Sequence, residues 1–354
     1  MSEERLQVAY KHRSFKNIIF IGACLALLIV LTVLAIAVGS ADITIKQVWQ
    51  SVYHFLAGIK PEPSDQRIEK IILLLRMPRV ILGILAGIGL SVSGTVMQSI
   101  TRNPLVSPFT IGLSSAAAFG ACLAIVAGIG IKPHTPFGIV LNAFIMSLVC
   151  ALIVYAVSTK IGMSPEALIL TGVALSYFFG ALTATLQFIA DENQLSAAIQ
   201  WTFGSLNGAT WFQVILLVVI IGLGIPLLMK YAWVLNAMSS SGDEFIKGIG
   251  INPAKMRGIL GLVVVVMTAS IISFTGVIGF VGLVSPHIAR MIVGTEHRVL
   301  IPVSGLLGGI LLLVSDTIGR TILSPVTIPV GIIISYIGVP LFINLILVRR
   351  KEYF

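Results

Sequence analysis

Gly276-Val277-Ile278-Gly279-Phe280-Val281-Gly282-Leu283-Val284-Ser285-Pro286-His287-Ile288-Ala289-Arg290 is the stretch on which the reading of this chain turns. It lies deep in apolar sequence, yet Gly276, Gly279 and Gly282 lower helix propensity and Pro286 removes a backbone donor. In lipid, unpaired backbone N–H and C=O groups are expensive, so such a segment must be shielded by protein. Two readings fit: a kink between packed helices, or a discontinuous helix lining a path. Composition does not choose between them.

The lipid setting follows from the bulk of the chain. Of 354 residues, 57% are hydrophobic and 10% charged, against about 25% charged in soluble domains. Mean hydropathy is +1.03. A formal charge of +9 would suggest nucleic acid in a soluble protein, but no basic patch is interleaved with aromatics. The surplus fits basic loops on the inner side of a membrane. Cys24, Cys122 and Cys150 are isolated in apolar runs, without metal-ligand or disulfide spacing, and read as small buried hydrophobes.

Outward from the opening stretch, apolar runs recur at spanning length. A basic tail with Arg5, Lys11, Arg13 and Lys16 precedes Ile18 to Val38, which is too long for a signal-peptide core and is read as a retained first span. Asp42 to Leu75 reads as an outer loop and Arg76 to Ile100 as the second span, with Gly83, Gly87, Ser91 and Gly94 on one face for close helix packing. Further spans are expected at Ile111 to Ile131, Phe137 to Ser158, Glu166 to Ile189, Phe212 to Met229 and Met256 to Thr275. Asp191 to Trp211 reads as a polar connection. A short helix from Pro286 to Val293, then Leu300 to Ile318 and Val330 to Val348, bring the count to about ten, with Arg349-Arg350-Lys351 as a second basic tail. An even count puts both termini on the cytoplasmic side. The expected fold is one all-α polytopic membrane domain over residues 1–354.

Between the sixth and seventh spans lies the longest later hydrophilic interruption. There Ser241-Gly242-Asp243-Glu244 is expected to cap a short helix with Phe245, Ile246 and Ile249 as an apolar stripe, and Asn252-Pro253 to start the next helix. An apolar stripe on a cytosolic loop is better explained by a partner's groove than by solvent.

Chemistry is sparse. No GxxxxGK[ST], HExxH or GxSxG run occurs, so ATP energy has to come from a partner and an intramembrane enzyme is not expected. No metal or other cofactor is expected on this chain; His287 and Arg290 offer too few ligands. Among charges near spans, Asp316 and Arg320 are spaced i, i+4 as a self-satisfied pair, and Arg76 and Arg79 suit interfacial anchors. A scarcity of midspan acids weighs against an ion-coupled secondary carrier.

Several runs in order resemble the permeases of binding-protein-dependent ABC importers for iron siderophores, haem and cobalamin. They are Arg76-Met77-Pro78-Arg79, Ser93-Gly94 to Gln98, Arg102-Asn103-Pro104-Leu105, Gly172-Val173-Ala174-Leu175, Gly276 to Arg290, Glu296-His297-Arg298, Ile328-Pro329-Val330-Gly331 and Gly338-Val339-Pro340-Leu341-Phe342. The resemblance implies a fold like the cobalamin importer's permease, in the bacterial cytoplasmic membrane. It also implies a second permease subunit, two cytoplasmic ATPases that use the ATP, and an extracytoplasmic solute-binding protein.

It further implies that residues 236–257 form the ATPase-coupling loop, with Ser241, Gly242, Asp243, Glu244, Phe245, Ile246 and Ile249 at the contact. Arg76, Arg79 and Arg320 would dock the binding protein, a role preferred for Arg320 over pairing with Asp316. Ser164-Pro165-Glu166 matches the cytoplasmic gate region, with Glu166 a departure. Thr327 stands where the family commonly has an acid, a second departure that bears on docking or packing. With the resemblance in hand, Gly276 to Arg290 becomes a re-entrant corner, in which Gly276, Gly279, Gly282 and Pro286 serve packing and movement. The cargo expected is a ferric siderophore or similar chelate, with haem or cobalamin as the alternative.

Overall fold

The computed structural model describes residues 3–39, 43–59 and 65–348. The Arg349-Arg350-Lys351 tail, Asp42, and Pro61 and Pro63 of the expected outer loop lie outside them, as do the side chains of Arg5, Lys11 and Arg13.

The chain folds as helices, with no strand among the described residues. In order they are α1 (Glu3–Ala37), α2 (Ile45–Ala57), α3 (Gln66–Lys70), a π-helical segment (Ile71–Arg76) and α4 (Met77–Thr101). A 3₁₀ turn (Pro108–Ile111) leads into α5 (Leu113–Ile125), followed by α6 (Pro136–Lys160), α7 (Pro165–Ile189), α8 (Glu192–Thr202) and α9 (Trp211–Lys230). Then come α10 (Ala232–Ser240), α11 (Asp243–Gly248), α12 (Pro253–Thr275), α13 (Val281–Val293), α14 (His297–Thr321) and α15 (Val330–Val348). Among the described residues seven helical stretches are long and apolar enough to cross a membrane, and the shorter apolar helices Leu113–Ile125, Val281–Val293 and Val330–Asn344 join them. The expected count of about ten is met in this way.

Several boundaries differ from the sequence reading, each for a local reason. The basic tail continues α1 instead of preceding it. The expected outer loop is partly helical: α2 has a capping box between Thr44 and Gln47 and is stopped by left-handed Gly58. The second span starts ten residues early, at Gln66. Pro78 has no N–H to return to Leu74, and the π-helical turn lies immediately before it, where that bond would be lost. The third span shrinks to 13 residues, because Gly128 and Gly130 adopt positive φ and Pro133 follows. Within Asp191 to Trp211, Asp191 and Gln194 form a capping box that starts α8.

α4 is the central element. Every residue from Gly89 to Thr101 is buried, and the helix packs against α14, α13, α12 and α9. The small-residue face predicted for it lets backbones touch. A Cβ at Gly87 would run into the Gly308 carbonyl, and one at Gly94 into the Gly282 carbonyl. Between them, the Ser91 hydroxyl donates to the Ser304 carbonyl at 2.7 Å. Where lipid offers no hydrophobic drive between helices, such close contact is a main source of association.

The decisive stretch is broken only over Gly276 to Phe280. Pro286, expected to lie at a break, is inside α13. Lacking an N–H, it leaves the Gly282 carbonyl without its i+4 donor, and that carbonyl is the one that faces Gly94. Gly276 takes φ +67 at the end of α12. The second left-handed residue is Phe280, at φ +62, a position where glycine is the usual occupant. Gly279 has no such φ, and a Cβ there would meet nothing within 4 Å. The packing role expected for Gly279 therefore finds no contact, whereas those of Gly276 and Gly282 do.

Gly94→Val should lower the melting temperature of the detergent-purified chain markedly, since overpacking here costs about 1–3 kcal/mol or more. Gly279→Ala should stay within about 0.5 kcal/mol of the parent.

Candidate functional site

Two polar clusters lie at opposite ends of α4, which at 25 residues is about 37 Å long. One surrounds Asp316 at the start of α4; the other surrounds Asp243 at its end.

At the Asp316 end, three arginines and one carboxylate meet. Arg79 donates to Asp316 at 2.8 Å and also to Asn207, and Arg320 pairs with Asp316 at 3.0 Å, as its i, i+4 spacing foretold. Asp316 itself is 2% exposed. Arg76 is buried and donates to the Ile36 and Ala37 carbonyls at 2.6 Å, satisfying the last turn of α1. Arg320 reaches the Ala35 carbonyl at 3.0 Å. The three residues expected as docking groups thus come together, but as the cement between α1, α4 and α14. For Arg320 the pairing with Asp316 is realised. A cavity of about 280 Å³ lies over the cluster and is lined by Arg76, Arg79, Arg320 and Thr327 among others. Thr327, the departure noted in the sequence, therefore faces three guanidinium groups.

At the Asp243 end, the short α11 is pinned by its first residue. Arg257 on α12, 1% exposed, clasps Asp243 with both terminal nitrogens, at 2.6 and 2.7 Å. Its remaining donors go to the Ile100 carbonyl at 2.9 Å and the Met163 carbonyl at 3.3 Å. Arg102 adds a second contact to Asp243 at 3.5 Å. One guanidinium therefore ties α11 to the end of α4 and to the turn between α6 and α7. This corrects the expected cap: the N-cap is Gly242 with no side-chain bond, and the Asp243 carboxylate serves Arg257 instead. Asn252 does cap α12, accepting from Lys255 N at 3.1 Å.

The expected apolar stripe divides. Ile246 is fully buried and seats α11 in the core. Phe245 and Ile249 stand 58% and 47% exposed, beside exposed Glu244. Ser241 and Gly242 form the corner from α10.

A third polar group was not found by sequence reasoning. Asn236 of α10 accepts from the His297 backbone N–H at 2.9 Å, contacts His297 Nδ1 at 2.6 Å, and donates to Glu296 at 2.7 Å. His297 Nε2 in turn meets the Ser99 hydroxyl on α4. The Glu296-His297-Arg298 run was noticed, but nothing in spacing linked it to Asn236, 61 residues away. His287 packs its ring edge-on to Phe342, 6.3 Å between centroids, and Arg290 donates to Gln98 at 2.9 Å. Among the described residues no three His, Cys, Asp or Glu side chains gather as a metal site.

Apolar helices at spanning length, with polar clusters at the two ends, define a polytopic membrane protein. The chain belongs to the FecCD transport family, matched over residues 27–349. It is 37% identical over 329 residues to the Fe(3+)-citrate import system permease protein of Bacillus subtilis, covering 92% of this chain and 94% of that one. It is 39% identical over 284 residues to the cobalamin import system permease protein of Halobacterium salinarum, covering 78% and 73%. A solved ABC transporter described as of the metal-chelate type, in an inward-facing conformation, matches with TM-score 0.81 at 30% identity, over 92% of this chain and 98% of that one. The chain is accordingly an ABC importer permease of this family, a membrane subunit that is not an enzyme on its own and works with ATPase and binding-protein partners.

The Arg257 hydrogen bonds, followed by the charges of Arg257, Arg102 and Lys247, hold the Asp243 carboxyl below its usual range against the opposing effect of burial. A depressed carboxyl contributes stability above its unfolded pKa and loses it as pH falls through the folded one. The anchoring of α11 should therefore be complete at neutral pH and weaken only below about pH 4. Asp243→Asn should lower thermal stability at pH 7 by about 3–5 kcal/mol, since it leaves Arg257 buried without its counter-charge. It should also flatten the acid limb of the stability profile.

Proposed function

We propose that this permease moves a ferric siderophore, or a similar bulky iron chelate, into the cell by alternating access. ATP is used by two partner subunits that seat on the Asp243 end, which then faces the cytoplasm together with both termini. A binding protein delivers the chelate at the Asp316 end, and two permease subunits, identical or related, enclose the path. The iron-citrate relative and the metal-chelate type of the solved neighbour favour an iron chelate. The similarly close cobalamin relative keeps cobalamin as the second reading, to be separated by uptake assays with each ligand.

One observation carries the coupling half of this reading. Phe245 and Ile249 are exposed on a helix that Ile246 and the Arg257–Asp243 clasp hold against the end of α4, the start of α12 and the turn between α6 and α7. An apolar face presented on a rigid mount suits insertion into a groove of the ATPase and transmission of its movement. The Asn236–His297–Ser99 bonds extend that connection from α10 to α14 and α4. The break at Gly276 to Phe280 would accommodate the resulting tilt of α12 against α13.

For docking, the cavity over Asp316 holds three guanidinium groups against one carboxylate, which draws acidic groups of a partner. Because Arg76 and Arg320 also hold α1, their effect on docking is best read without removing them.

Phe245→Lys and Glu244→Lys should reduce co-purification of the ATPase and its transport-stimulated turnover; parental values for both would remove this face from coupling. Asn236→Ala should keep ATPase binding while cutting uptake several-fold. Thr327→Glu adds a carboxylate among the three arginines and should weaken binding-protein affinity several-fold at low salt, with the melting temperature maintained. Unchanged affinity would exclude the cavity from docking.

A further inference from the structure

Among the described residues the longest helical stretch runs for 36 residues, from Gln66 to Thr101, about 50 Å, and exceeds the roughly 40–45 Å of a whole bilayer. Its far end is fixed by the Arg102 and Asp243 cluster, so α3 and the π-helical turn emerge at headgroup level at the Asp316 end. α2 lies beside them and turns Trp49, Tyr53 and Phe55 outward, each 60% exposed or more. Aromatic rings of this kind mark the membrane–water interface.

At this level a groove of about 690 Å³ opens between three elements: Phe55 of α2, Lys70, Leu73 and Leu74 of the emerging helix, and Trp211 and Ile215 of α9. The Trp211 ring N–H donates to the Leu73 carbonyl at 2.8 Å, so the wall is built and the indole face is left for apolar contact. A second groove of about 640 Å³ lies across the same helix and shares Gln66, Lys70 and Leu74 with the first. Its lining carries exposed Arg67 and Lys70 and, among the described residues, no acid. Glu69, the acid of the first groove, faces His54 at 3.6 Å. Basic groups at phosphate level above a trough of leucine, isoleucine and aromatic carbon match a molecule with an anionic head and hydrocarbon tail.

We propose that this groove is a binding site for a glycerophospholipid with an anionic headgroup, in the leaflet at the Asp316 end. Its phosphate sits on Arg67 and Lys70, and one acyl chain runs down past Leu73, Leu74 and Trp211 to Ile215. The lipid fills the cleft between α2 and α9 and holds the emerging helix upright beside the arginine cluster.

The test reads Trp211 directly. The full chain, with its ATPase partner, is placed in phosphatidylcholine nanodiscs, with Trp49, Trp201 and Trp233 changed to Phe so that only Trp211 of this chain reports. The partner's own tryptophan signal is subtracted using the same complex carrying Trp211→Phe. Phosphatidylglycerol with brominated acyl chains should quench Trp211 at mole fractions about fivefold or more below those needed by brominated phosphatidylcholine, since each basic group contributes about that factor. Arg67→Gln with Lys70→Gln should erase the preference. Equal quenching by the two lipids would mean an unselective annulus and would overturn the site. Absence of quenching by either would mean that protein, a second copy included, covers the groove, and would overturn it equally. Native mass spectrometry of the otherwise unaltered complex, with and without the Arg67 and Lys70 changes, gives a second reading: retained phosphatidylglycerol should fall several-fold in the changed protein, and equal retention would reject the site.

Discussion

Every backbone polar group inside lipid has to find a partner within the protein. Regular helix meets that demand alone, and the interruption at Gly276 to Phe280 meets it only through its neighbours. Ser205 N–H donates to the Thr275 carbonyl at 2.7 Å, and the Thr275 hydroxyl reaches the Ile271 and Gly276 carbonyls at 2.9 and 3.1 Å. Gly204 and Gly331 bring two further backbones against Val277, where side chains would collide. The corner between α12 and α13 therefore requires the loop after α8 and the start of α15 to be in place. Three distant parts of the chain are ordered by one break.

The same economy governs the charges. Arg257 is nearly inaccessible, yet each of its three nitrogens is used, with two bonds to Asp243 and two to the carbonyls of Ile100 and Met163. Arg76 and Arg320 do the corresponding work at the other end, satisfying the last carbonyls of α1. Helix termini carry unpaired carbonyls, and a guanidinium with five donors can serve a carboxylate and two such carbonyls together. Residues expected as docking groups thus bear structural load, holding α1 against α4 and α14 beneath the cavity they line.

Polar contacts between distant residues explain the main gap between sequence and site. Asp316 and Arg320 were legible as a pair because they share one helix face, four residues apart. Arg79, 237 residues from Asp316, was not. Asp243 looked like a helix cap because caps are local and common; that it serves Arg257 depends on how α11 folds back on α12. Likewise the stripe Phe245, Ile246 and Ile249 was legible as apolar, while its division into one anchoring and two exposed side chains depends on what α11 rests upon.

By itself the sequence determined the class of fold: helices of spanning length, their approximate number, the small-residue face of α4, and a polar segment with an apolar stripe between the sixth and seventh spans. These follow from composition and periodicity, because lipid rewards unbroken apolar helix wherever it occurs. Tertiary structure alone decided which glycines are needed, that Phe280 and not Gly279 takes the second left-handed position, that Pro286 lies within a helix, and which arginines meet which carboxylate. Those outcomes depend on what stands opposite each residue, and a linear pattern of apolar and polar side chains carries no information about the opposing partner.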